Sequence, residues 1–347
     1  MQVMKALLHD GEHGYRLIEM PRPEVGPGTI VVRVRVVGIC RSHVAVHRHK
    51  TGKPECVPNG YEVSGEIVEV GQGVSGWAAG DRVAVDVTCQ GLACGKCRYC
   101  LAGQFRRCLN RIEGWGGGFA EYMKRRAWGC YRLPDGVSWK AGALTEPLAV
   151  SVHALRRGDM RGGETVVVLG AGTIGLTAIA AAKLWGARRV FATARYPHQA
   201  ALAGRLGADA AFTAGDRVLE RAVLDATGGI GADLVVETVG GTSPDTMRQA
   251  ATLARPLGRI VVVGGFQKLV EVDLLTPLLK EHNVLFSYCY GIQEGRADFQ
   301  MAVDILASSG LPLEDIVTHT FPIERFEKAF DMAADKSQGS VKVQLAP

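Results

Sequence analysis

Four cysteines share one short segment, spaced Cys94-x2-Cys97-x2-Cys100-x7-Cys108. Four thiolates in one loop suit a closed tetrahedral zinc site, which leaves no open position for chemistry. Such a lobe has few apolar residues, so the metal would supply its folding energy. The remaining cysteines are Cys40, Cys56, Cys89, Cys130 and Cys289, nine in all. An odd count in a chain without an apparent export signal favours metal binding and free thiols over a disulfide framework. Cys89 reads as a bystander of the cluster, and Cys56, Cys130 and Cys289 as ordinary thiols.

A second constellation is Gly170-Ala171-Gly172-Thr173-Ile174-Gly175, a GxGxxG. The chain has 44 glycines, so the pattern alone is weak. Its context is specific: an apolar run, TVVVLG, precedes it and an alanine-rich stretch follows. In a strand-turn-helix Gly170 makes the tight turn and Gly172 lets a pyrophosphate approach the backbone. Gly175 lets helix and strand pack closely, with the phosphates at the positive helix end. Thr173 and Ile174 complete the loop, and Ala194, Val239 and Gly264 are further cofactor-binding candidates. An acidic residue ending the second strand would select NAD. Here that strand ends Ala192-Thr193-Ala194-Arg195-Tyr196. The small side chains leave room for a 2′-phosphate, and Arg195 could bind it by charge-assisted hydrogen bonds. The expected cofactor is therefore NADP(H), preferred over NAD(H).

The elements that must hold these groups fall into two kinds. Residues 1 to about 150 are valine-rich alternating runs broken by Gly and Pro, such as TIVVRVRVV (29–37), VSGEIVEVG (63–71) and DRVAVDV (81–87). They indicate a β-rich unit. Residues 148–160 look helical. Strands 165–170, 189–194, 232–240 and 258–265 then alternate with helical stretches, which implies a parallel sheet with crossover helices. The tail returns to mixed character, so residues 286–347 are expected to complete the first domain around an α/β domain at 151–285.

The 347 residues suffice for two domains, and 47 % hydrophobic against 22 % charged residues is a globular balance. A net charge of +5, scattered along the chain, lacks the basic stripe of a nucleic-acid binder. No run approaches a membrane span, and the first residues lack a secretory signal, so a cytoplasmic location is expected.

With these features assembled, the sequence resembles the medium-chain dehydrogenase/reductase family, especially its zinc-dependent alcohol, polyol and threonine dehydrogenase branch. The resemblance spans GIC-R-S (38–42), GYE (60–62), GEIVEVG (65–71), GDRV (80–83), the four-cysteine lobe, GGFAEY (117–122), TEPLAV (145–150) and GAGTIG (170–175). It implies a GroES-like catalytic domain, a doubly wound Rossmann domain, a small-molecule substrate, and a homodimer or homotetramer. In that family an active-site zinc acts as a Lewis acid on the alcohol or carbonyl oxygen, while a hydroxyl relays the proton. Cys40 matches the first zinc ligand, Ser42 the relay hydroxyl, Glu62 the nearby glutamate and Glu146 the polyol-branch ligand. Arg41 matches a residue that contacts the cofactor phosphates.

The chain departs from the pattern where it matters most. The family's Gly-His-Glu is Gly60-Tyr61-Glu62 here, so the histidine ligand is missing. The aspartate that orients that histidine is His43, and a further relay histidine is Ala45. Two readings stand open. In one, the catalytic zinc is lost or weak, and Tyr61 donates a proton or an oxyanion hydrogen bond, paired with His43. In the other, zinc persists on Cys40 and Glu146 with Glu62 or His43 as substitute ligand. Without the zinc, a conjugated C=C or an iminium joins carbonyls as a possible substrate. A cofactor-binding sensor or structural subunit without catalysis is the alternative of another class. The basic run His47, Arg48, His49, Lys50 and Lys53 reads as a solvated loop, or as an attractor for an acidic substrate. The segment Phe286–Tyr290 borders either a substrate pocket or a subunit interface.

Overall fold

A computed structural model of the chain describes residues 2–49, 53–215 and 218–347. One compact unit comprises Met1–Ala149, Tyr290–Ser308 and Val317–Pro347, and the other Val150–Cys289 and Ser309–Ile316. The chain therefore returns to the first unit at 290, against an expected 286. It also leaves that unit again for eight residues, 309–316. The reason is burial: Leu313 and Ile316 are inside, and their turn packs against the helix Thr173–Leu184.

The valine-rich runs of the first unit do form strands. Thr29–Gly38 is central and buried along most of its length. The sheet runs Val317–Pro322, Lys342–Ala346, Thr29–Gly38, Glu62–Val70, Arg82–Asp86, Cys130–Arg132, with Tyr122–Arg126 also pairing the central strand. Its core includes Ile30, Val32, Val63, Phe119, Phe330 and Leu345. Register decides which chemistry meets. Gly38 lies opposite Glu62 on one side and Gln344 on the other. The last strand of the chain thus reaches the residues that follow Gly38.

In the second unit β1 (Thr165–Leu169), β2 (Arg189–Ala194), β3 (Ala210–Thr213), β4 (Ala232–Glu237), β5 (Ala254–Val262) and β6 (Asn283–Phe286) form one sheet. The order is β3-β2-β1-β4-β5-β6, and every neighbouring pair is parallel. This is the doubly wound Rossmann order, whose switch point beside β1 binds dinucleotides. The helix expected at 148–160 runs Thr145–Arg157. Glu146 consequently sits in its first turn, where the positive helix end favours a carboxylate. Among the described residues, no helix is long and apolar enough to cross a membrane.

Candidate active site and cysteine lobe

Short turns bring the four cysteines of the lobe together. Sγ–Sγ separations are 3.5 Å for Cys97–Cys100, 3.9 Å for Cys94–Cys100 and 4.0 Å for Cys97–Cys108. A tetrahedron with zinc–sulfur bonds of about 2.3 Å has edges of roughly 3.8 Å. The observed separations bracket that length and are far too long for disulfides. Backbone N–H groups of Leu109 and Cys100 point at Cys97 and pull its thiol down to about 6, toward the thiolate a metal needs. The set fits a structural zinc. The lobe's own apolar anchor is slight: Phe105 is buried, edge-on to Trp128, while Leu101 and Leu109 are exposed.

After Gly38 the chain turns through Cys40 into the helix Arg41–His49, which carries Ser42 and His43. Tyr61 and Glu62 enter at the start of the facing strand. Tyr61 Oη lies 2.8 Å from Ser42 Oγ. The same phenol hydrogen-bonds Cys40, and Glu146 acts on it electrostatically. Burial first, then the charges of Cys40 and Glu146, pushes the phenol well above its usual range. It therefore stays a neutral O–H donor.

His43 meets Tyr61 through a tilted ring contact: the centroids are 4.6 Å apart at 49°. Its Nδ1 accepts the Cys40 N–H at 3.2 Å, and its Nε2 lies 3.3 Å from Asn59 Oδ1. Burial, with help from the charge of Lys342, lowers the imidazole to about 3 despite the Asn59 bond. His43 is thus neutral, with both nitrogens engaged.

Glu62 faces another partner. Lys342 Nζ donates to Glu62 Oε1 at 2.7 Å and to the Ile39 carbonyl at 3.3 Å. Both side chains are about 95 % buried or more. Burial opposes the lysine's charge, yet Glu62, Cys40 and Glu146 hold its pKa above the ordinary value. Gly38 makes room for the pair, because a Cβ there would stand 1.9 Å from Glu62 Oε2. Among the described residues, the four lobe cysteines are the one group of three or more Cys, His, Asp or Glu donors close enough to share an ion.

In the second unit, β1 runs into Gly170, whose φ of 98° requires glycine. The helix Thr173–Leu184 starts after Gly172. A Cβ on Gly175 would lie 1.7 Å from the Gly170 carbonyl, whereas one on Gly172 would meet nothing within 4 Å. Close helix–strand packing and an open phosphate approach are thus divided between these two glycines. Thr193, on β2, accepts the Gly170 N–H at 2.8 Å. Ala194 is buried and Arg195 exposed, its guanidinium 5.8 Å from the Tyr196 ring centre. Val239 follows β4, where Glu237 Oε1 accepts the N–H groups of Val239 and Gly240 at 2.9 and 2.8 Å. Gly264 packs on the same carboxylate, with room for no Cβ.

Residues 26–135 match the model described as alcohol dehydrogenase GroES-like domain, and residues 173–308 match that of zinc-binding dehydrogenase. An erythritol/L-threitol dehydrogenase of Mycolicibacterium smegmatis is 34 % identical, over 99 % of this chain and 98 % of that protein. A sorbitol dehydrogenase of Halalkalibacterium halodurans is also 34 % identical, over 99 % of both. The chain belongs to the medium-chain dehydrogenase/reductase family. A Sinorhizobium meliloti protein described as a zinc-binding dehydrogenase, solved bound to NADP, superposes with a TM-score of 0.88 at 27 % identity, over 100 % of both chains. This medium-chain dehydrogenase is accordingly an alcohol-dehydrogenase-like oxidoreductase, its first unit the GroES-like domain and its second the Rossmann domain.

Set against the family pattern, the site differs at the metal. Tyr61 occupies the histidine position and its hydroxyl is taken up by Ser42 and Cys40. Glu62 is paired with Lys342, and both nitrogens of His43 are engaged. Cys40 and Glu146 remain near the phenol; Glu62 keeps a buried Oε2 without a partner, but among the described residues no group of three donors that includes them is close enough to share an ion. Arg41 opens its helix and is exposed. Three contributors carry no sequence motif: Lys342, Asn59 and Glu55, the last bonded to Asn59 at 3.0 Å. Of the basic run, Arg48, His49 and Lys53 are exposed, and Lys50 lies outside the described residues. His47 corrects the solvated-loop reading. Its Nδ1 accepts the Tyr15 N–H at 3.1 Å, and its ring packs 4.7 Å from that of Phe330.

Proposed function

We propose that this medium-chain dehydrogenase is an NADP(H)-dependent oxidoreductase for a small carbonyl or alcohol, or a related polarised double bond, with Tyr61 in the role of the catalytic zinc. The observation that carries the reading is the Tyr61–Ser42 contact of 2.8 Å beside Cys40. Bound NADPH would supply a hydride to the substrate carbon. Tyr61 donates its phenolic proton to the substrate oxygen, and exposed Ser42 passes a proton from solvent back to the phenol. A phenol held neutral suits the reducing direction, since it begins as the acid. The zinc-dependent alternative rests on Cys40 and Glu146 and lacks its third ligand. The test is turnover of a panel of small aldehydes and ketones with NADPH, before and after Tyr61→Phe.

The cofactor preference is supported by the end of β2. No acidic residue stands between Arg189 and His198, and Arg195 is exposed there. A charge-assisted contact to the 2′-phosphate contributes about 1.5–3 kcal/mol. Arg195→Ala is therefore expected to cut the ratio of kcat/KM for NADPH over NADH by about 10- to 100-fold. A wild-type enzyme that uses NADH as well as NADPH overturns the preference.

A second copy of the chain is the partner we propose, docked on the outer edge of β6. Among the described residues, no strand pairs with that edge. It is flanked by exposed Leu274, Leu278, Leu279, Phe286 and Tyr288. An apolar edge of this kind is a pairing template, and a two-fold axis would close it on itself. Sedimentation should show a dimer or larger species that Phe286→Asp dissociates. A monomeric wild type rejects the interface.

A further inference from the structure

We propose that Glu55 and Asn59, acting through His43, position the Tyr61 phenol against Ser42. The inference rests on the role given to Tyr61 above. The chain of bonds has one consistent direction. Glu55 Oε1 only accepts, so the Asn59 amide donates Nδ2–H to it at 3.0 Å. Asn59 Oδ1 must then face the other way, where it accepts the Gly60 N–H at 2.9 Å. It also takes the Nε2–H of His43 at 3.3 Å. That proton belongs on Nε2 because Nδ1 already accepts the Cys40 N–H. Glu55 is anchored in turn by the His9 N–H, 3.4 Å from its Oε2.

The result is a buried imidazole with one tautomer and one ring orientation. It packs against two aromatic rings, with centroids 4.6 Å away for Tyr61 and 4.8 Å for Phe119, the latter in an edge-type contact. Phe119 is fully buried and cannot yield. The ring of His43 is therefore packed against both buried Phe119 and the phenol. The relay also ties together the two segments that carry the reacting groups. One end is the turn at Cys40 that starts the Ser42 helix, and the other is Gly60, the residue before Tyr61. Where the family holds a histidine with a carboxylate, this chain holds a tyrosine with a histidine and an amide.

The experiment is a double-mutant cycle on the zinc-loaded enzyme, with NADPH and the best substrate from the aldehyde and ketone panel. Asn59→Ala is expected to lower kcat about tenfold, with KM little changed. In the Tyr61→Phe enzyme the same substitution should cost nothing more. A loss that carries over undiminished to the Tyr61→Phe enzyme shows a merely structural role and overturns the proposal, as does wild-type kcat in Asn59→Ala. Glu55→Gln, milder for the fold, should lower kcat about threefold on the same terms. ¹⁵N NMR of labelled histidines provides a readout independent of turnover. His43 should show the Nε2–H tautomer at neutral pH, with an Nε2–H signal that shifts and exchanges faster with solvent in Asn59→Ala than in the wild type. An unchanged spectrum in that variant overturns the relay. If Tyr61→Phe itself turns over normally, the reading of Tyr61 fails, while the spectrum still decides whether Asn59 holds His43.

Discussion

Tyr61→Phe is expected to lower kcat for carbonyl reduction by about 10²- to 10³-fold, a loss of roughly 3–4 kcal/mol of transition-state stabilisation. The phenol has two tasks as hydride reaches the substrate carbon. It donates a hydrogen bond to the oxygen on which negative charge develops, and it then surrenders the proton. Phenylalanine removes both and leaves the ring. The contact with the His43 ring at 4.6 Å survives, and so does most of the packing. Cys40 and Ser42 each lose one hydrogen-bond partner, which costs about 1 kcal/mol of stability. KM should change little, because the interaction lost is one that strengthens in the transition state. Steady-state kinetics with NADPH, alongside thermal unfolding, separates the effects. Turnover within about threefold of wild type would remove Tyr61 from the chemistry and return the site to Cys40 and Glu146.

The parts of this site that were legible in the sequence are those encoded by local spacing. Gly170, Gly172 and Gly175 can be read because their roles are set by backbone geometry within one strand-turn-helix, down to the 1.7 Å that separates a Gly175 Cβ from a carbonyl. The four cysteines can be read because one loop supplies all four sulfurs of a set that fits a zinc. Lys342 could not. It meets Glu62 across 280 positions, through the pairing of the last strand with Gly38, and nothing near it in sequence marks it as a partner. Asn59 and Glu55 are silent for another reason: a side-chain relay has no periodicity, and its direction follows from which atoms accept. His47 turned inward because a basic run is read by its charge, while the core beside Tyr15 and Phe330 needed a ring. Residues 309–316 join the Rossmann unit on the burial of Leu313 and Ile316, two apolar residues that no repeat pattern announces. The exchange of histidine for tyrosine at 61 was visible as a change, whereas its partners became visible only in three dimensions.

Protein washed with chelator is expected to retain about one zinc per chain, and Cys100→Ser to retain almost none. The sulfurs of Cys94, Cys97, Cys100 and Cys108 already stand within 4.8 Å of one another, three of the pairs at 3.5 to 4.0 Å, close to the edge of a zinc tetrathiolate. Structural zinc sites of this kind bind with apparent free energies of about 10–16 kcal/mol at neutral pH, so washing should not strip them. Without the ion, nothing cross-links the four sulfurs and the lobe has chiefly Phe105 to anchor it. Its loss should therefore appear as local opening, with new proteolytic cleavage between residues 94 and 108, before the valine-rich core of the same unit gives way. Elemental analysis decides two points at once. One zinc per active chain, lost in Cys100→Ser, assigns the metal to the lobe and leaves the proton chemistry to Tyr61. Two zincs per active chain would mean that a metal is held at Cys40 and Glu146 despite the missing histidine. The Tyr61→Phe enzyme would then keep its activity, because the Lewis acid, and not the phenol, would be meeting the charge on the substrate oxygen.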